Sequence, residues 1–476
     1  MMYYQLLGPE IAVALLGLLV LACGLLLPAH GKNAAGYLTT IGLAAVLAAV
    51  ILNFSQGAIF FAGVYQIDSY TNFFRILFLS AALLIILMSS RYTGWFGERK
   101  SEWFSFMLFA TLGMMIMVGA ADLITVYVGL ELMTISFYIL SAYLLNDRLS
   151  AEAGLKYLII GALSSAVLLF GMSLVYACSG TTVFTGIYAA LSAGPERPVL
   201  LAGMVMMIAG LGFKISAVPF HMWTPDIYQG APTPVTAYLS VASKAAGFAV
   251  LARIFLSVFP AASLDWHPLL AVMAALTIII GNLTALPQTN VKRMLAYSSI
   301  AQAGYILVGL VAANTYGLKG LLFYAMLYVF SNVGAFAVTA AVEVEAGNAD
   351  LESFSGLSRR APMPAAVLTI CLLSLAGIPP LAGFAGKFYL FSGAIQAGYL
   401  WLAFIGLLMS MISVYYYLNV AKAMYIGTSR QEERVTLSFP VQTALWICLF
   451  ATIFLGVYPG PLSELTELAV RLFIAG

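Results

Sequence analysis

The sequence predicts an all-α polytopic membrane protein with about fourteen spanning helices. Three observations carry that reading. Apolar residues fill 62% of the 476 positions and charged residues only 8%, against roughly 45–50% and about 25% in ordinary soluble domains. Too few charged side chains remain to clothe a soluble surface. Apolar runs such as Ile11 to Leu27, Ile76 to Met88, Leu158 to Val175, Val199 to Leu211 and Leu269 to Ile280 recur along nearly the whole length, and a bilayer core of about 30 Å needs roughly 20 such residues per helix. Lastly, lysine and arginine between the runs gather on one side.

In chain order the spans fall at about 6–28, 35–54, 70–90, 102–120, 121–145, 150–178 and 198–221, then at 233–257, 267–286, 293–313, 317–342, 362–397 (interrupted), 400–425 and 436–458. The first run contains Glu10, follows no basic region and ends at Pro28 without a small-residue cleavage site, so it reads as retained rather than as a cleaved signal. Beyond the last span, Pro459 to Ala475 reads as a short amphipathic tail. With both ends outside, the inner loops hold Lys32, Arg91, Arg99, Lys100, Arg148, Lys292, Arg293, Arg359, Arg360, Arg430 and Arg434, against Arg197 in an outer loop and Arg471 in the tail. Eleven against two fixes the expected orientation and calls for an even number of spans.

A weak internal repeat divides the chain. Gly154-Leu155-Lys156 opens the sixth span and Gly317-Leu318-Lys319 the eleventh. Downstream of each lies a helix broken by proline, at Ala217-Val218-Pro219-Phe220 in the seventh span and Gly377-Ile378-Pro379-Pro380 in the twelfth. Proline removes a backbone hydrogen bond and clashes with the preceding turn, so helices 7 and 12 should be discontinuous. The division is an N-terminal three-helix segment (1–101), a first five-helix repeat (102–258), a second (259–426), and a last helix with its tail (427–476). Five crossings per repeat invert the second copy. Broken helices at matching places in two halves mark a transporter's ion path.

The chemistry-bearing residues cluster around that plan. Lys156, Lys214, Lys244 and Lys387 lie inside otherwise apolar helices, with Glu131 in the fifth span. Each charge at bilayer depth costs at least about 2.5–3.5 kcal/mol, so these groups must face a polar interior and one another. Lysine suits proton transfer there, because burial favours its neutral form while a nearby carboxylate favours the charged one. Glu131 and Lys156, on adjacent helices joined by a short loop, form the expected modulating pair. Lys214, just before the Pro219 break, is the expected loading group, His221 extends the chain two turns on, and Lys244 and Lys387 continue it into the second half.

Plainer readings stand beside these. Lysines near helix ends, Lys156 and Lys319 among them, can snorkel to the surface, His221 can bond a carbonyl freed by Pro219 or Pro225, and Glu131 can serve helix packing. Glu10 and Arg75, near membrane edges, read as structural, and Tyr415-Tyr416-Tyr417 as packing or an interface belt.

Other classes are disfavoured. A net charge of +2 suggests no nucleic-acid partner. Cys23, Cys178, Cys371 and Cys448 stand singly in apolar stretches, without the spacing of a disulfide framework or an iron–sulfur site. Gly210-Leu211-Gly212 lacks the third glycine and strand-to-helix setting of a nucleotide fold, and three histidines, His30, His221 and His267, do not suit a membrane bis-haem arrangement.

Several stretches resemble one family, the antiporter-like proton-channel subunits of respiratory complex I, shared with multisubunit cation/proton antiporters. They are Val128-Gly129-Leu130-Glu131-Leu132, Gly212-Phe213-Lys214 through Pro219-Phe220-His221-Met222-Trp223-Thr224-Pro225-Asp226, Ala231-Pro232-Thr233-Pro234-Val235, Ser243-Lys244 and Asn290-Val291-Lys292-Arg293-Met294-Leu295-Ala296-Tyr297-Ser298-Ser299. Within the family, Leu375-Ala376-Gly377-Ile378-Pro379-Pro380, Gly383-Phe384 and Gly386-Lys387-Phe388-Tyr389 resemble the bacterial N type. The M type is expected to carry glutamate where Lys387 stands, and the L type a long lateral helix.

The resemblance implies a fourteen-helix fold with two inverted five-helix repeats and a proton path through Glu131, Lys156, Lys214, Lys244 and Lys387, driven by quinone chemistry in neighbouring subunits. It implies that NADH, flavin and iron–sulfur clusters bind in partner subunits, quinone elsewhere in the complex, and no cofactor or metal in this chain. K-type and M-type membrane subunits are the expected neighbours, in a bacterial inner membrane. A sodium/proton antiporter subunit is one alternative, but a sodium path favours several oxygen ligands at depth, and the candidates here are mostly amines. A passive scaffold is the other, and leaves the cost of buried lysines unexplained.

Overall fold

The computed structural model describes residues 2–26, 33–192, 197–260, 263–428 and 435–471. Pro28, His30, Lys32, Arg430, Arg434 and Ala475, named above, lie outside the described residues.

The helices are α1 (Gly8–Leu26), α2 (Asn33–Leu52), α3 (Ser69–Met88), α4 (Lys100–Gly119), α5 (Leu123–Ser141), α6 (Arg148–Ser179), α7 (Phe184–Ser192), α8 (Arg197–Ile215), α9 (Trp223–Gly230), α10 (Thr233–Tyr238) and α11 (Lys244–Ser257). There follow α12 (Ser263–Ala285), α13 (Val291–Ala312), α14 (Thr315–Ala346), α15 (Leu357–Arg360), α16 (Pro362–Ala376), α17 (Ala382–Gln396), α18 (Leu400–Ile426), α19 (Phe439–Val457) and α20 (Gly460–Val470). Among the described residues, thirteen helical stretches are long and apolar enough to cross a membrane. The pair α16 and α17 supplies the interrupted fourteenth crossing.

The second five-crossing set repeats the first element by element. Asp122 caps α5 through Thr125 N at 3.0 Å, and Asn290 caps α13 through Arg293 N at 3.2 Å. Asp147 caps α6 and Asn314 caps α14 in the same way, each helix is 32 residues long, and each ends on a left-handed glycine, Gly180 or Gly347. A side-chain oxygen at the N-cap satisfies amides that the first turn leaves unpaired, and glycine takes positive φ without a Cβ clash. The first set closes with α8, a break, α9 and the α10–α11 crossing; the second closes with α16, a break, α17 and α18. Five crossings separate α4 from α12, so the two sets run in opposite senses.

Small residues let the helices approach closely. A Cβ on Gly113 of α4 would meet the Gly129 carbonyl of α5 at 2.7 Å, and one on Gly171 of α6 the Gly203 carbonyl of α8 at 2.8 Å, the close packing that membrane helices favour where lipid gives no hydrophobic drive.

The expected break in the seventh span is present, between the end of α8 at Ile215 and the start of α9 at Trp223. Two features depart from the sequence reading. Residues 184–192 form the short helix α7, which turns Phe184 and Ile187 inward and is too brief to span. A two-stranded antiparallel hairpin, Ala58–Phe60 with Tyr65–Ile67, joins α2 to α3 in the otherwise helical chain, in register Ala58 to Ile67. Glu10 and Arg75 are buried and bonded, Arg75 Nε to Glu10 Oε1 at 2.7 Å, with the Tyr65 hydroxyl on the same carboxylate oxygen at 3.0 Å. The tail helix α20 packs on α3 and α14, where Glu467 meets Lys319 Nζ at 3.1 Å.

Candidate functional site

The first break is held by side chains and by its own backbone. Past Lys214 the chain leaves the helix at Ser216 (φ 61°), Ala217 N bonds back to Gly212 O at 2.8 Å, and Val218 N is met by Thr277 Oγ1 at 2.9 Å. Trp223 Nε1 donates to Phe213 O at 3.0 Å while its ring stacks on Tyr157, centroids 5.0 Å apart. Ser216 to Val218 of this non-helical backbone are thus buried in protein with their amides met.

Lys214, in the last turn of α8, is 1% exposed. Its Nζ donates to Thr134 Oγ1 at 2.8 Å and lies 5.5 Å from the Phe213 ring. Thr134 stands three residues after Glu131 on α5, the spacing of one helix face, and the Glu131 carboxylate is within electrostatic reach of Lys214. Glu131 Oε1 is buried with no hydrogen-bond partner.

The expected direct pairing of Glu131 with Lys156 is not formed. Lys156 Nζ instead donates to Asp226 Oδ2 of α9 at 2.9 Å and meets Glu152, one turn earlier on α6, at 2.6 Å. Its side chain is 40% exposed. The physical reason is proximity: Glu152 stands one turn earlier on α6 and Asp226 approaches on α9, while Glu131 of α5 lies within electrostatic reach of Lys214 with one oxygen buried.

His221 lies in the break, buried, with the Pro219 backbone beside its ring and Lys244 within electrostatic reach; its Nδ1 has no hydrogen-bond partner. Lys244 follows a π-helical turn at Leu239–Ser243, a local winding that recurs at functional sites. Its Nζ donates to the Ser299 carbonyl at 3.0 Å and lies 5.6 Å from the Tyr228 ring.

From Ser298, the chain neighbour of Ser299, a hydrogen-bonded line runs to the second break. Ser298 Oγ meets the Tyr417 hydroxyl, that hydroxyl accepts from Gln302 Nε2 at 3.3 Å, and the same amide donates to Leu375 O at 3.1 Å. Leu375 O also accepts from Lys387 Nζ at 2.9 Å. The break at Gly377 (φ 89°) ends α16 and frees its last carbonyls, of which Lys387 takes Leu375 O and Ala376 O, the latter at 3.0 Å. Ser410 Oγ, at 2.7 Å, is its third partner. A cation at a helix C-terminus is favoured by the aligned carbonyl dipoles.

Sequence reasoning missed Thr134, Asp226, Gln302 and Ser410. Tyr416 and Tyr417 were read as packing or belt; Tyr415 is exposed, while Tyr417 belongs to the line and Tyr416 donates to Asn282 Oδ1 at 3.1 Å. Asp226 stood in the quoted Pro225-Asp226 motif, the one available signal. Each break also borders an apolar cavity, of about 290 Å³ beside Pro219 and Trp223 and about 390 Å³ beside Gly377, Lys387 and Ser410.

Residues 120–413 match the family described as NADH:quinone oxidoreductase/Mrp antiporter, transmembrane. The chain is 49% identical over 471 residues to NADH-quinone oxidoreductase subunit N of Desulforamulus reducens, covering 99% of both chains. It belongs to the subunit N family of NADH-quinone oxidoreductase. A second member of the subunit N family, from Heliobacterium modesticaldum, is 50% identical over 472 residues, again with 99% of each chain covered. A chain of respiratory complex I from Thermus thermophilus superposes with a TM-score of 0.83 at 32% identity, over 96% of this chain and 99% of that one. In this member of the subunit N family, all six singled-out side chains, Glu131, Lys156, Lys214, His221, Lys244 and Lys387, fall inside the matched segment.

Proposed function

We propose that this chain is a proton-translocating membrane subunit of NADH:quinone oxidoreductase. The observation that carries the reading is the buried set of polar groups between two lysines: Lys244 bonds Ser299, its chain neighbour Ser298 bonds Tyr417 and through it Gln302, and Gln302 and Lys387 both donate to the Leu375 carbonyl beside the second break. Lysines at bilayer depth are costly, and hydroxyl and amide groups between them provide the contacts that a proton relay needs.

Lys214 is the loading group, with Glu131 acting on it from α5, and His221, in the break that follows, extends the path within reach of Lys244. Lys387 is the far station. The working units are the N-terminal segment 1–101, repeats 102–258 and 259–426, and the last helix with its tail, 427–476. NADH, flavin and iron–sulfur clusters belong to partner subunits and quinone to a site elsewhere in the complex. K-type and M-type membrane subunits flank this chain in a bacterial inner membrane, with both termini outside.

Glu131 provides the test. In vesicles carrying the assembled complex, Glu131→Gln should lower proton uptake per quinone reduced, and Glu131→Asp should retain more of it. Wild-type ratios in both variants would remove Glu131 from the path.

A further inference from the structure

One carboxylate joins the two five-helix sets. Asp226 Oδ2 accepts from Lys156 Nζ of α6 at 2.9 Å, and Oδ1 accepts from Arg293 Nη1 of α13 at 2.8 Å. The Arg293 guanidinium also donates to Gln229 Oε1 at 3.0 Å, one turn along α9 from Asp226. Next to it on α13, Lys292 donates to Ala231 O at 3.0 Å and to Glu343 of α14 at 2.9 Å. Thr233, opening α10, bonds the same Glu343. The corner formed by α9 and α10 is therefore gripped by two consecutive basic residues of the other set.

Asp226 is also placed to respond. It stands in the first turn of α9, where unpaired amides favour an anion, and α9 is the half of the broken helix that follows Lys214 and His221. Lys156 Nζ meets Glu152 at 2.6 Å at the same time, so its charge is shared between two carboxylates and its hold on Asp226 is partial. Half-exposed ion pairs are individually weak, which suits a contact that switches. Seven residues separate Pro219 from Asp226, as seven separate Pro380 from Lys387. The first set thus carries an acid about where the second carries its buried lysine.

We propose that Asp226 is a positioning residue that couples the charge of Lys156 to the first helix break and, through Arg293, to the second five-helix set. This rests on the proton-translocation reading above. When Lys156 is charged and bound to Asp226, α9 is held between α6 and α13. When Lys156 loses its proton, Asp226 answers to Arg293 alone, and the half-helix beyond the break is released from α6. Glu131, expected from sequence to form the modulating pair with Lys156, acts on Lys214 by a separate route.

The test uses the whole complex in liposomes, with quinone reduction, proton uptake and assembly measured separately. Asp226→Asn should lower protons taken up per quinone reduced by at least about twofold. Asp226→Glu should recover more than half of that loss, which a packing role would not explain. Adding Arg293→Gln to Asp226→Asn should make it no worse, since both remove one link. Should Asp226→Asn fail to assemble, Arg293→Gln alone decides, because it keeps the Lys156 pair and removes the contact of Asp226 with the second set while the Lys292 contacts stay in place: a lowered ratio supports the proposal and a wild-type ratio overturns it. Lys214→Met separates the two ideas. If it impairs pumping while Asp226→Asn, or Asp226→Glu and Asp226→Asn alike, behave as wild type or fall equally, the Asp226 proposal is overturned; if Lys214→Met itself pumps normally, the reading beneath it falls.

Discussion

Lys214 Nζ lies 2.8 Å from Thr134 Oγ1, its one hydrogen-bond partner among the described residues. An ammonium has three donors, and Lys387 meets all three, on two backbone carbonyls and Ser410. The two buried lysines are therefore supported differently, one by a single hydroxyl and the reach of Glu131, the other by the end of a helix.

Thr134→Val keeps the side-chain shape and removes the hydroxyl. A buried donor left unmet costs about 1–3 kcal/mol, so proton uptake per quinone reduced should fall while the complex still assembles. Thr134→Ser should restore it. Vesicle proton uptake beside a count of assembled complex checks both.

Ser410→Ala takes one of three partners from Lys387 and leaves both carbonyls. Its effect on proton uptake should be smaller than that of Thr134→Val, measured in the same vesicles. An equal or larger loss would mean that Ser410 does more than fill a donor.

Glu10 of α1 and Arg75 of α3 form a buried pair that is not part of the relay. Removing one partner of such a pair costs about 3–5 kcal/mol, so Glu10→Gln should reduce the amount of assembled complex, read on a native gel. The complex that does assemble should keep the wild-type ratio of protons to quinone.

Much of this molecule is legible in its sequence for a simple reason. Bilayer-length apolar runs have few alternatives to spanning helices, and a lysine such as Lys214 or Lys387 inside one, next to a proline break, advertises its own cost. What escapes is which partner each charge finds. Glu131 and Lys156 are near in sequence, yet Lys156 meets Asp226, seventy residues on and beyond the break. Neutral hydroxyls and amides carry no charge to mark them: Thr134 of α5 is found by Lys214 of α8, and the packing of α13 against α18 sets Gln302 beside Tyr417. The π turn before Lys244 likewise has no composition signal.

Gly383 tests the geometry of the second break. A Cβ there would stand 1.7 Å from the Ser374 carbonyl, so Gly383→Ala must push α17 from α16. Overpacking of this kind costs about 1–3 kcal/mol or more. Thermal inactivation should come earlier, and proton uptake should fall as Lys387 is drawn from the carbonyls of α16.

The most direct measurement is proton uptake and quinone reduction, in one vesicle preparation, for Lys214→Met, Lys387→Met and Lys214→Arg, with assembly quantified for each. Methionine keeps much of lysine's length but binds no proton, and arginine keeps the charge but hardly ever releases it. The expected result is assembled complexes that take up fewer protons per quinone in all three variants. Methionine variants at both positions that assemble and pump at the wild-type ratio would contradict the path through these lysines.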